Sequence, residues 1–117
     1  MVSTLISQIL HQHNQYRNLI AKGFDKYKPA ARMATMQWNA ELAQLAELNV
    51  KQCVMKHEQC HNTKNFKHSG QNLAYTNWYG MQMSVSQVVN NHIKAWFDEY
   101  KICPVDFVYK YPLKTNG

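Results

Sequence analysis

The densest set of chemically capable side chains in the sequence is His57-Glu58-Gln59-Cys60-His61. On a helix, two histidines four residues apart share one face, where both imidazoles can reach a zinc ion while the adjacent glutamate activates a bound water. The spacing therefore nominates a zinc-dependent hydrolase using His57, Glu58 and His61. Its surroundings oppose that chemistry. The motif falls where a predicted helix gives way to a polar loop, Lys56 sets a positive charge beside the metal position, and His68 stands at the wrong offset for an extended third ligand. His57, His61 and His68 also stand near Cys53 and Cys60 as a structural zinc set, but no C-x-x-C pair anchors it. A loop that is simply rich in histidine is the plainer reading.

Two further positions carry titratable groups in suggestive places. His92 lies on the apolar stripe of a predicted helix between Val88 and Trp96, where an interior histidine satisfied by a neighbour is the ordinary case. Asp98 and Glu99 fall at the C-terminal end of that helix, where the dipole disfavours carboxylates and a compensating partner is required. No Ser-His-Asp arrangement, glycine-rich phosphate loop or strand-borne carboxylate pair is present. No residue is nominated as a nucleophile, and the expected catalytic set is empty.

The elements that must position these groups follow from periodicity. Residues 3 to 21 carry Leu5, Ile6, Ile9, Leu10, His13, Tyr16, Leu19 and Ile20 at helical spacing, with Gly23 beyond the end as a C-cap. Asn39 caps a second helix, with Glu41 in its first turn, predicted to run to about Met55. A third helix begins near Ser84 and runs to Lys101, and Pro104 stops it. Met33 to Trp38 reads as extended, 57 to 70 as a polar loop, and Gln71 to Thr76 as a short strand. The expectation is one domain over 1–117, three helices with one or two short strands. Two short strands make no stable sheet alone, which suggests an incomplete fold.

Bulk properties narrow the partners. The 117 residues hold 13 Lys and Arg against 7 Asp and Glu, a formal charge of +6. The basic residues are scattered singly, without a run or a nucleic-acid module, so nucleic acid is not an expected partner. No stretch approaches the ~18 apolar residues of a membrane-spanning helix, so no transmembrane segment is expected. The N-terminal Met1 to Leu10 lacks the basic region and cleavage site of a signal peptide. Three cysteines leave at least one unpaired within the chain; Cys53 and Cys60 could bridge only if the backbone between them turns back.

Read in order, five motifs resemble one family. His13-Asn14, Arg17-Asn18 and Ile20-Ala21-x-Gly23 are similar to the opening of insect antigen 5 proteins. Pro29-Ala30-x-Arg32-Met33, then Met36-x-Trp38-Asn39-x-Glu41-Leu42, resembles their second conserved block. Cys53 with Lys56-His57-Glu58-x-Cys60-x-Asn62-Thr63, then Gly70-Gln71-Asn72-Leu73-Ala74, then Ile93-x-x-Trp96-x-x-Glu99 complete the series. Residues 9 to 101 thus resemble the CAP superfamily, the cysteine-rich secretory, antigen 5 and pathogenesis-related-1 proteins.

The resemblance implies an α+β fold, a CAP-type α-β-α sandwich, here incomplete and mostly helical. It implies an extracellular, disulfide-bonded, monomeric protein without settled catalytic activity, binding a small hydrophobic ligand or an extracellular partner. It also implies a cleft of two histidines and two acids able to hold a divalent metal such as zinc, with His57, Gln71 and Glu99 at matching positions. Gln71 stands where many relatives carry glutamate, although antigen 5 members commonly carry glutamine, and the second cleft histidine is expected beyond Gly117. No cofactor is required; His57 and Glu99 are the metal candidates, weakened by Gln71. Cys53 and Cys60 match cysteines that pair further upstream in relatives, so here they are free or joined to each other. Two alternatives stay open: the zinc hydrolase, and a truncated fragment without independent function.

Overall fold

The computed structural model describes residues 3–57, 63–77, 80 and 82–104. Three α-helices form: α1 (Ser3–Ala21), α2 (Ala40–Val50) and α3 (Val85–Asp98), the last continuing as a 3-10 turn at Glu99–Lys101. The predicted starts of α2 and α3 are met by the capping chemistry that the sequence offers. Asn39 accepts from the Leu42 backbone N–H at 3.0 Å, and Ser84 with Gln87 forms a reciprocal capping box at the head of α3.

Helix α2 stops at Val50, five residues short of the predicted Met55. Cys53 adopts a left-handed φ of 56°, its N–H closes on the Val50 carbonyl at 3.0 Å, and the chain has left the helix before His57. A β-carbon makes that conformation costly, so the turn is held by its surroundings rather than by preference. At the end of α1 the demand falls on glycine. Gly23 has a φ of 93°, and a β-carbon there would lie 3.2 Å from the Pro29 ring.

No strand forms among the described residues, which corrects the expected one or two. Gln71 to Thr76 and 33 to 38 are irregular, and the lone bridge pairs Phe24 with Tyr27. A strand exists only by pairing its backbone with a neighbour, and Gln71 to Thr76 instead spends polar groups on α3. Leu73 accepts from the Trp96 indole N–H at 3.0 Å, and the Thr76 hydroxyl meets His92 Nε2 at 2.7 Å.

Packing centres on α1 and α3, the one pair of α-helices in contact among the described residues. Tyr16 stacks on Phe97 with ring centroids 4.2 Å apart, and Gln8 and Gln12 donate across to the Ser86 and Asn90 carbonyls at 3.0 Å. Below α1, the Phe24–Tyr27 turn packs its two rings against Tyr100. The buried Tyr27 donates its phenol O–H towards the Tyr100 and Cys103 carbonyls, 3.1 and 3.4 Å away. Among the described residues only Tyr27 and Ile93 are buried apolar side chains, while Leu48 and Val50 on α2 stay 62% and 72% exposed. No helix is long and apolar enough to cross a membrane among the described residues.

Candidate functional site

Helix α3 is the platform from which the site is built. Its Trp96 and His92 hold the segment from Leu73 to Thr76 by the two bonds just described, and Gln71 lies two residues before it. From the other side, α2 delivers the chain to His57. Asn49, buried at the end of α2, donates weakly to the Lys56 carbonyl at 3.4 Å. Glu41, in the first turn of α2, accepts from the Thr63 hydroxyl at 2.5 Å. It also receives the Asn65 backbone and side-chain N–H groups at 3.3 and 3.4 Å. That clamp fixes the chain at Thr63 and Asn65.

The two routes converge. His57 Nδ1 and Gln71 Oε1 lie 3.2 Å apart, on a hollow of about 160 Å³ that Ser69 and Gly70 complete. This contact places the imidazole against a neutral carboxamide. Gln71 can orient the ring and fix its tautomer by accepting from Nδ1–H, leaving Nε2 free, but it supplies no negative charge. Glu99, the third position suggested by the resemblance, is exposed on the 3-10 turn and does not line that hollow. Glu58, Cys60 and His61 lie outside the described residues, so that the hydrolase motif is represented by His57 alone.

His57 is not helical, because α2 has ended seven residues earlier. The one-turn ligand face on which the hydrolase reading depends is therefore missing at its first member. Among the described residues no three His, Cys, Asp or Glu side chains converge. Zinc sites draw on at least three protein ligands, and the described part of this hollow supplies one imidazole and a carboxamide. Cys53 is a free, exposed thiol and Cys103 a free, half-buried one.

The carboxylates at the end of α3 divide. Asp98 is paired within its own helix, with Lys94 Nζ at 2.6 Å and Lys101 Nζ at 3.8 Å. The hydrogen bond from Lys94 holds the Asp98 carboxyl below its ordinary range, against partial desolvation, and raises the lysine in turn. The compensation required by the helix dipole is thus local, and Asp98 is occupied structurally. Tyr27 is pushed up, chiefly by desolvation in its aromatic setting.

Larger hollows flank α2 on both sides. One, about 410 Å³, is lined by Leu42, Leu45, Phe66 and Leu73, and its wall includes Asn49 and Gln71. The other, about 580 Å³, lies against Ile6, Trp38, Ala43 and Val50. Sequence periodicity gave no sign of either, because it reports which face of a helix is apolar and not whether anything covers it.

The chain matches the cysteine-rich secretory protein family, CAP, over residues 10–106. It is 42% identical to venom allergen-1 of Aedes albopictus over 117 residues, all of this chain and 46% of that protein. It is 47% identical to the antigen 5 like allergen Cul n 1 of Culicoides nubeculosus over 110 residues, 93% of this chain and 49% of that one. Venom allergen 5 of Vespa velutina is 36% identical over 100 residues, 80% of this chain and 48% of the wasp protein. The chain spans about half the length of the curated relatives it matches. No solved structure matches it significantly.

Proposed function

The chain belongs to the CAP family of cysteine-rich secretory proteins, and from that premise we propose that it acts outside the cell as a binding module of the antigen 5 kind. In this reading it takes up a small hydrophobic ligand and catalyses no reaction. The carrying observation is the pair of mostly apolar hollows beside α2, each within the few-hundred-Å³ range of small-molecule sites. The site lining supports the same choice. His57 faces Gln71 rather than a carboxylate, and a carboxamide gives a polar contact for a ligand but adds no anionic metal partner and no second base to the imidazole. A monomer and the sandwich arrangement of the family belong to this proposal.

The test is a titration of the secreted, purified protein with a fluorescent fatty acid. Saturable binding, lowered by Leu45→Trp, which fills part of the hollow of about 410 Å³, is expected. A folded protein that binds no such probe, or one with peptidase activity that zinc restores and His57→Ala abolishes, overturns the proposal.

A further inference from the structure

A second surface, on the opposite pairing of helices, has a different chemistry. Between α1 and α3 runs an open groove of about 510 Å³. Carboxamides make up 21 of the 117 residues, yet five of the eight lining residues are Gln8, Gln12, Gln15, Asn90 and Asn91. No carboxylate lines it. Its single formal charge, Lys94, is engaged by Asp98 at 2.6 Å.

Some of these amides are fixed and others idle. Gln8 donates to the Ser86 carbonyl and to Asn90 Oδ1, and accepts from the Ser86 hydroxyl at 2.9 Å. Gln12 donates to the Asn90 carbonyl, but its own Oε1 is withdrawn from solvent without a hydrogen bond. On the rim, Gln15 and Asn91 are exposed and make no side-chain hydrogen bond among the described residues. The groove therefore presents, side by side, unspent donors and acceptors on a floor that the helix pairing has already immobilised.

We propose that this groove binds a neutral polyhydroxyl ligand, a saccharide. A carboxamide both donates and accepts, and so does a hydroxyl, so a row of amides matches a row of hydroxyls. A charged ligand would find no unpaired opposite charge there. The proposal stands independently of ligand uptake at α2.

The test follows the side-chain NH₂ resonances of Asn and Gln during titration of the isotope-labelled protein. The probes are maltotriose and N,N′-diacetylchitobiose, with a high-mannose glycoprotein before and after deglycosylation to separate free saccharide from protein-borne glycan. Shifts confined to the α1–α3 groove are expected, with at least about tenfold weaker binding in Gln15→Leu/Asn91→Leu. Both substitutions are at exposed sites, and unchanged helical circular dichroism verifies the fold. Lys51→Ala, remote from the groove, is the control with full binding. Absence of shifts in the folded protein, shifts spread over the whole chain, equal binding by the double variant, or preference for a sulfated saccharide each overturns the proposal.

Discussion

Helices α1 and α3 on one hand, and α2 on the other, are equally legible as helices but differ in what holds them. The α1–α3 pair has a stacked Tyr16–Phe97 contact, cross-helix carboxamide bonds and buried Ile93. Helix α2 has a good N-cap and an acidic first turn, yet leaves Leu48 and Val50 mostly exposed. Local signals start a helix; burial of its apolar face against a partner supplies most of its stability. The contrast teaches that capping and periodicity identify an element without telling how firmly it is held.

The strongest way to break the comparison is to remove apolar contacts from each region in turn. Ile93→Ala is expected to cost about 2–4 kcal/mol, whereas Leu48→Ala, on the exposed face, is expected to cost less than about 0.5 kcal/mol, both read from urea unfolding. Equal effects would abolish the distinction between the regions. Asn39→Ala comes next, at about 1 kcal/mol, because α2 relies on its own cap; the readout is lost helical circular dichroism with α1–α3 near-ultraviolet signals retained. Native-state hydrogen exchange sharpens the same point, with α2 amides expected to exchange faster than those at the centre of α3.

The smallest effect concerns the Lys94–Asp98 pair. Asp98 titrates below its unfolded value, so its contribution is complete above that value and is lost as pH falls through the lower, folded one. Lys94 titrates above its unfolded value, so its share is present below that value and fades as pH rises through the higher, folded one. The pair therefore supports the end of α3 across the neutral range and weakens at both extremes. Both side chains are solvent-accessible, so Asp98→Asn should flatten the acid limb of a stability profile only slightly. An unchanged acid limb would remove the pair from the account.

Much of this arrangement was written in residue spacing. The 3.6-residue rhythm gave α1 between Ser3 and Ala21, and the caps Asn39 and Ser84 gave the starts of α2 and α3. The end of α2 was not legible, because Cys53 takes a left-handed conformation that its own preference disfavours. The Gln71 to Thr76 strand failed for a related reason. Its composition suits a strand, but pairing needs a second backbone, and here Trp96 and His92 of α3 take two of its polar groups. His92 was expected as an interior histidine satisfied by a neighbour, and Thr76 is that neighbour. The approach of His57 to Gln71 came from ordered motif resemblance, since no periodicity relates residues fourteen apart across a loop. Glu41's clamp on Thr63 and Asn65 gave no sequence signal beyond a carboxylate near a helix start.

One contact ties distant parts of the chain together. Tyr27, at the turn that follows α1, reaches the carbonyls of Tyr100 and Cys103, more than seventy positions later, and Lys26 adds a bond to the Cys103 carbonyl at 2.9 Å. Together they act as a buckle that closes the ring of chain running from the first helix to the last. Whatever polypeptide continues past Pro104 sets out from an anchored point, and a pull applied there would be felt first at the foot of α1.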